Sequence, residues 1–97
     1  MEIKKEINGK ICTLCPEGRI DTLTSAELDE AVNAACKECE KLVLDMKDVD
    51  YVSSAGIRVI IQAHQTVGKD SFSLRNVSKN VMQLLTMTGF DKVLTFE

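Results

Sequence analysis

The stretch YVSSAGIRVII, residues 51–61, places two serines and two small residues directly before the most hydrophobic segment of the chain. The apolar residues that follow recur at helical spacing and predict a helix that begins near Ala55, with an inward stripe of Ile57, Ile60, Ile61 and Val67. Gly68 stands where glycine commonly ends a helix. Ser53 or Ser54 is a suitable N-cap, because a serine hydroxyl accepts a hydrogen bond from an amide of the first turn.

The segments around this helix predict several strands. Asn8-Gly9 is favoured in a two-residue turn and predicts a β-hairpin of residues 2–7 and 10–16, whose second strand ends at Pro16 and Gly18. Further strands are predicted at residues 41–46 and 71–77, separated from one another by the Asp-rich turn KDVD and the helix, with a last edge strand at 93–96.

Two more helices complete the pattern. Thr24 and Glu27 have capping-box spacing before a stripe of Leu28, Ala31, Val32, Ala35 and Cys39. Ser78 caps the last helix, which Gly89 ends. A hairpin followed by alternating helices and strands predicts a single α/β domain over residues 1–97. Its helices pack on a mixed sheet, with right-handed crossovers between parallel strands.

The composition excludes several classes of function. The chain has 97 residues, a net charge of −3 and a pI near 5.1, and it has no basic run, so nucleic-acid binding is not expected. The opening MEIKKEINGK lacks the apolar core of a signal peptide. The apolar stretches are shorter than the about 20 residues of a membrane span. We therefore expect a cytoplasmic protein without direct membrane insertion, whose cysteines are reduced.

The four cysteines have the spacing of a zinc site. Cys12 and Cys15 form one C-x₂-C pair, and Cys36 and Cys39 form another. Residues i and i+3 of a strand face opposite sides of a sheet, so the first pair is not expected to share a metal. We expect small buried residues and no metal or other cofactor, with a zinc- or thiol-dependent protein as the alternative from another class.

The serines before the central helix allow a regulatory use beyond capping. One hydroxyl suffices for a cap, and Ala55 and Gly56 leave the backbone nearly bare for the approach of another surface. A phosphorylated serine would carry a charge of about −1.5 to −2 at the helix N-terminus. The helix dipole favours that charge by only about 0.3–1 kcal/mol, whereas burying it unpaired in an interface costs several kcal/mol. The same serine is thus either a plain cap or a binding switch.

Three stretches together resemble the STAS domain family, specifically the bacterial anti-sigma factor antagonists. VDYVSSAGIRVI resembles the signature loop, and GRIDTLTSAEL (18–28) is similar to the segment that leads from the second strand into the first helix. RNVSKNVMQLLTMTGFDKVL (75–94) resembles the closing helix. The three stretches follow one another in the family's order and cover nearly the whole chain.

The resemblance implies a partner-switching regulator. The dephosphorylated antagonist binds an ATP-dependent anti-sigma factor that is also a serine kinase, and so frees a sigma factor; phosphorylation ends the interaction and a serine phosphatase restores it. Ser54 matches the phosphorylated serine, with Ser53 as the alternative because Ser-Ser-Ala-Gly departs from the commoner Asp-Ser-[Ser/Thr]-Gly. The partner-binding residues implied are Asp21, Thr22, Ser53, Ser54, Ala55, Gly56 and Arg58.

Other functions stay open at this point. A STAS interaction subunit of a stressosome-like or lipid-transport complex, without a phospho-switch, is the alternative within the same fold. An enzyme is not expected, because His64, the single histidine, stands on the apolar stripe of its helix without a second histidine or a nucleophile beside it. Nucleotide binding by the protein itself has no phosphate-cradling loop to support it.

Overall fold

The computed structural model describes residues 1–68 and 70–97. Its strands are β1 (Glu2–Asn8), β2 (Ile11–Ile20), β3 (Lys41–Asp45), β4 (Val49–Val52) and β5 (Phe72–Arg75). Its α-helices are α1 (Thr24–Glu38), α2 (Ser54–Val67) and α3 (Lys79–Thr88), and a short 3-10 helix follows at Phe90–Lys92. Within the described residues, no helix is long and apolar enough to cross a membrane.

The sheet is mixed, as the alternating pattern predicted. β1 runs antiparallel to β2, and β2 runs parallel to β3 and β4, while β3 runs parallel to β5. The first half of β2 pairs with β3 through residues 11–14, and its second half pairs with β4 through residues 18–20. The strand β2 is therefore the centre of the fold, since it connects the hairpin to both parallel neighbours.

The predicted end of the second strand at Pro16 is wrong. β2 continues to Ile20, and Pro16 is a buried residue inside it. Proline has no amide to donate, but it stands between the stretch paired with β3 and the stretch paired with β4. No ladder bond to either parallel neighbour is required there, so the proline is tolerated.

Two short strands also differ from the prediction. The segment KDVD, which was predicted to be a turn, contains the start of β4. The strand was missed because it includes the exposed Asp50, and aspartate is uncommon in strands. Its two ends, Val49 and Val52, are buried, so the usual alternation of inward and outward residues is absent. In the described part of the chain, the expected edge strand at 93–96 is reduced to one parallel bridge between Leu74 and Phe96.

The helix ends follow the capping signals in α2 and α3 but not in α1. The hydroxyl of Ser78 accepts a hydrogen bond from the Val81 amide at 3.2 Å, and Gly89 ends α3 in the left-handed conformation. The capping box predicted for α1 does not form. Thr24 is already inside the helix, and the carboxylate of Glu27 pairs with the amino group of Met1 at 2.7 Å instead.

The core lies on one face of the sheet. Cys12, Leu42 and Phe72 are in register across three strands, and so are Leu14, Leu44 and Leu74. All six are at most 2% exposed. α1 packs on β2 and β3, and α2 packs on α1, β4 and β5. The other face carries the rows Thr13, Val43, Ser73 and Asp45, Arg75, which are more polar, so the apolar rows fix which side the helices cover.

Candidate functional site

The two serines before α2 occupy different environments. Ser53 is the N-cap, and its hydroxyl oxygen accepts a hydrogen bond from the Gly56 amide at 3.2 Å. Ser54 is the first residue of the helix and is exposed. No group among residues 1–68 and 70–97 forms a hydrogen bond with its hydroxyl. One serine therefore serves the helix, and its neighbour is left accessible for chemistry or binding.

A tight turn after β2 presents the predicted Asp21. One carboxylate oxygen, Oδ1, accepts hydrogen bonds from the amides of Leu23 and Thr24, both at 2.9 Å. The Thr24 hydroxyl accepts from the Asp21 amide at 2.8 Å and donates to the Arg19 carbonyl at 2.7 Å. Asp21, and not Thr24, thus supplies the side-chain acceptor in front of α1, which is the physical reason that the capping box is absent.

These hydrogen bonds also set the charge of the turn. The bond donated by the Thr24 amide holds the pKa of the Asp21 carboxyl below its ordinary value, and the Thr24 hydroxyl, the Leu23 amide and nearby Arg19 act in the same direction. Asp21 is therefore ionised throughout the physiological pH range. Its second oxygen, Oδ2, receives no hydrogen bond from the described residues and remains available to an external donor.

One backbone hydrogen bond joins the two loops. The amide of Ser53 donates to the carbonyl of Ile20 at 2.7 Å, at the point where parallel strands β2 and β4 both end. The Asp21 turn follows the first strand, and Ser54 follows the second. The carboxyl ends of parallel strands are where α/β proteins form their sites. The structure therefore places Asp21, Thr22, Ser53 and Ser54 at the same edge of the sheet.

Gly56 does not belong to that surface, although the sequence suggested that it leaves the backbone open to a partner. It is buried, and a Cβ atom added there would lie 2.6 Å from Ile20 Cγ2 and 2.7 Å from Val52 Cγ1. The close approach that requires glycine is thus made by the protein's own strands. Ala55 is half-buried beside it.

Arg58 lies one turn along α2 from Ser54 and is exposed. Both side chains line a groove of about 420 Å³ that runs between α2 and the end of α3. Its floor includes the buried Ile57, and Phe90 contributes from the 3-10 helix. Arg58 forms no ion pair within the described part of the chain, so its charge is available to an anion from outside.

An apolar residue that the sequence analysis missed lies in the same place. Leu23, in the Asp21 turn, is 83% exposed, more than the other large apolar side chains of the described residues. An apolar residue between Thr22 and Thr24, off the stripe of α1, is the signal that would have identified it. We name Asp21, Thr22, Leu23, Ser54 and Arg58 together the Ser54 surface.

The cysteines do not converge on one site. Cys12 is fully buried next to Cys39, and burial, with Cys39 adding to it, raises the pKa of the Cys12 thiol to about 11. The thiol of Cys15 lies 3.8 Å from Asp48 Oδ2, and burial also raises the pKa of Cys15 and of Cys36. Thiols with raised pKa are weak ligands and nucleophiles. Among the residues described, no three histidine, cysteine or acidic side chains form a group able to hold a metal.

His64 is the remaining candidate from the sequence. Its ring packs edge-on against Phe72 with 6.5 Å between centroids, at the edge of the core. It stands ten residues after Ser54 in α2, which corresponds to about 15 Å along a helix. The position is that of a core-edge histidine and separates the imidazole from the Ser54 surface.

Comparisons with known proteins agree with this architecture. The family model described as the STAS domain matches residues 2–97. An anti-sigma F factor antagonist of Paenibacillus polymyxa is 25% identical over 100 residues, which are 97% of this chain and 84% of the relative. An anti-sigma-B factor antagonist of Bacillus subtilis (strain 168) is 28% identical over 79 residues, 79% of this chain and 72% of that protein.

A solved structure gives the same fold. The crystal structure of an anti-sigma factor antagonist from Mycobacterium paratuberculosis superimposes with a TM-score of 0.87, at 22% identity, over 98% of this chain and 83% of that chain. The match to the family model covers almost the entire sequence and confirms the resemblance carried by the three motifs. The chain belongs to the STAS domain family.

Proposed function

We propose that this protein is an anti-sigma factor antagonist: it binds an anti-sigma factor through the Ser54 surface, and phosphorylation of Ser54 ends the binding. The two curated relatives carry the name of anti-sigma factor antagonists, which supports the assignment of the partner. The proposed role of the protein is binding rather than catalysis. The hydroxyl of Ser54 is the phosphoryl acceptor for the kinase activity of the partner. A serine phosphatase would restore the free hydroxyl.

The observation that carries the proposal is the difference between the two serines. The Ser53 hydroxyl is engaged as the cap of α2, whereas the Ser54 hydroxyl is exposed and without a hydrogen bond in the described residues. A kinase needs an accessible hydroxyl: its oxygen attacks the γ-phosphorus of ATP, the bond to ADP breaks, and the hydroxyl proton passes to a base of the kinase. Ser54 meets this requirement, whereas the hydroxyl oxygen of Ser53 is already engaged with the Gly56 amide.

The energetics favour a switch that acts on the complex. A phosphate on Ser54 would gain about 0.3–1 kcal/mol from the dipole of α2, so the fold is expected to change little. In a complex, the same charge would be placed between the Asp21 turn and a docked protein. Leaving a buried charge unpaired costs several kcal/mol, and each 1.4 kcal/mol weakens binding about tenfold.

The test is phosphorylation by the anti-sigma factor of the same organism. The wild-type protein, Ser54→Ala and Ser53→Ala are each incubated with the anti-sigma factor and Mg-ATP, and intact mass and peptide mapping locate the phosphate. We expect one phosphoryl group on the wild type and on Ser53→Ala, and none on Ser54→Ala. Equal phosphate on Ser54→Ala, or none on the wild type, would refute the phospho-switch. Binding of the anti-sigma factor without phosphorylation would instead support an interaction subunit that lacks the switch.

A further inference from the structure

The groove between α2 and α3 is chemically divided along its length. One rim is a row of exposed polar residues at helical spacing, which begins with Ser54 and Arg58 and continues with Gln62 and Gln65. The floor is apolar and includes Ile57, Ile61 and Phe90. A segment that fits this groove needs an apolar side chain for the floor and an anionic group at the end that holds Arg58.

Arg58 also lies within reach of any phosphate on Ser54. Residues four apart in a helix have Cβ atoms about 5–6 Å apart and face the same side. A guanidinium binds carboxylate and phosphate alike through paired hydrogen bonds. Arg58 is the fifth residue of α2, one turn beyond Ser54, near the end of the helix that favours anions over cations, so the helix itself does not stabilise its charge. Because the described residues provide no carboxylate partner, the exposed guanidinium of Arg58 is free to bind an anion from a partner or from a modification.

We propose that Arg58 is a shared anion site: it binds a carboxylate of a partner segment that docks in the α2–α3 groove, and it binds the phosphate when Ser54 is phosphorylated. The occupant is a peptide segment of the anti-sigma factor with an acidic residue next to a bulky apolar one, so the docking half of the inference rests on the proposed function. When Ser54 is phosphorylated, the phosphate neutralises Arg58, which can then no longer bind the carboxylate of the partner. The negative charge of the phosphate also repels that carboxylate.

The phosphate half is tested with the protein alone. Phosphoserine is placed at position 54, and the second pKa of the phosphate is followed by ³¹P NMR in the wild type and in Arg58→Gln. We expect the phosphate pKa to be lower in the wild type by about 0.5–1 unit, because a nearby cation favours the dianion and both groups are exposed. Arg58→Lys should retain part of the shift. Identical titrations in wild type and Arg58→Gln would overturn the assignment.

The docking half is tested by affinity for the anti-sigma factor. Unphosphorylated Arg58→Gln should bind about tenfold more weakly than the wild type, with a smaller dependence on salt. Lys79→Gln is the matched control, since Lys79 is an exposed cation in the first turn of α3 and lies outside the groove. It should stay within about twofold of the wild type. Equal affinities of Arg58→Gln and Lys79→Gln would overturn the docking site.

The floor of the groove has its own control. Ile61→Ala should also weaken binding severalfold, whereas Ile7→Ala, which changes an exposed isoleucine on β1, should not. Melting curves verify that each variant is folded. A folded Ile61→Ala that binds as the wild type does would refute the groove as the contact. A wild type that does not bind the anti-sigma factor would overturn the proposed function itself, and the phosphate titration would then decide the role of Arg58.

Discussion

At the scale of single residues, the site depends on which polar atoms already form hydrogen bonds within the protein. Ser53 and Ser54 are chemically identical, yet one hydroxyl caps α2 and the other is exposed. Asp21 is similarly divided, because Oδ1 holds the turn in front of α1 and Oδ2 receives no bond from the described residues. The atoms that the fold leaves unused are the ones that a partner can use.

This division predicts that two neighbouring substitutions differ in their effect on stability. Ser53→Ala removes the N-cap and should lower the free energy of unfolding by about 1 kcal/mol. Ser54→Ala removes an exposed hydroxyl and should change it by less than about 0.5 kcal/mol. Urea denaturation of both variants and the wild type measures the difference. A larger loss of stability from Ser54→Ala than from Ser53→Ala would contradict the assignment of Ser53 as the N-cap.

The Asp21 turn predicts a dependence of stability on pH. The pKa of Asp21 is lower in the folded protein than its ordinary value, so the unfolded chain binds more protons as the pH falls. The stability that the ionised carboxylate contributes is fully present above the unfolded pKa of about 3.9 and is lost as the pH falls through the folded pKa. Asp21→Asn keeps an acceptor oxygen but has no charge to lose.

The wild type should therefore be more stable than Asp21→Asn at neutral pH. The difference between their unfolding free energies should stay constant down to about pH 4 and decrease at lower pH. The other carboxylates titrate in both proteins and cancel in the difference. Parallel pH curves would show that the turn does not depend on the charge of Asp21.

At the scale of elements, the periodicity of the sequence predicted the long helices but did not predict the short strand β4. The stripes of α2 and α3 and the cap signals at Ser53 and Ser78 come from local geometry, so the sequence contains them. β4 has only four residues, and its pairing with β2 decides that it is a strand. That pairing is a tertiary contact and leaves no periodic signal. The change of partner along β2 is equally invisible, which is why Pro16 was mistaken for a strand end.

The contact between α2 and the strands predicts the cost of a single methyl group. In Gly56→Ala, the new Cβ would meet Ile20 Cγ2 and Val52 Cγ1 at less than 3 Å, so side chains or the helix must shift. We expect a loss of about 1–3 kcal/mol in unfolding free energy, measured by denaturation. Thr66→Ala, an exposed change in the same helix, is the control and should be nearly neutral. A neutral Gly56→Ala would mean that α2 moves freely on the sheet.

At the scale of the whole molecule, the core and the proposed recognition surface occupy separate regions. The apolar rows across β2, β3 and β5 form the core under the helices. The Ser54 surface lies beyond the ends of β2 and β4, and its side chains are exposed or half-buried. The motifs at residues 18–28 and 49–60 predicted most of this surface. Arg58 was predicted as a contact, but the groove that it shares with α3 depends on helix packing that no local pattern encodes.

This separation predicts that charge at position 54 affects the complex and not the fold. Ser54→Asp should keep the melting temperature within a few degrees of the wild type, because the new carboxylate stands at the favourable end of α2. Its affinity for the anti-sigma factor should fall by at least about tenfold. Calorimetric melting and titration with the anti-sigma factor measure the two effects. A variant that unfolds early, or that binds unchanged, would contradict the separation.

The hydrogen bond from the Ser53 amide to the Ile20 carbonyl has a consequence for how fast such a regulator responds. It fixes the beginning of α2 to the end of a central strand, so we expect the proposed binding surface to be ordered before a partner arrives. Under the proposed function, association needs no slow rearrangement of this protein, and its rate is set by diffusional encounter and charge steering. The response time of the circuit would then be determined by phosphoryl transfer and hydrolysis, the two chemical steps carried out by its partners.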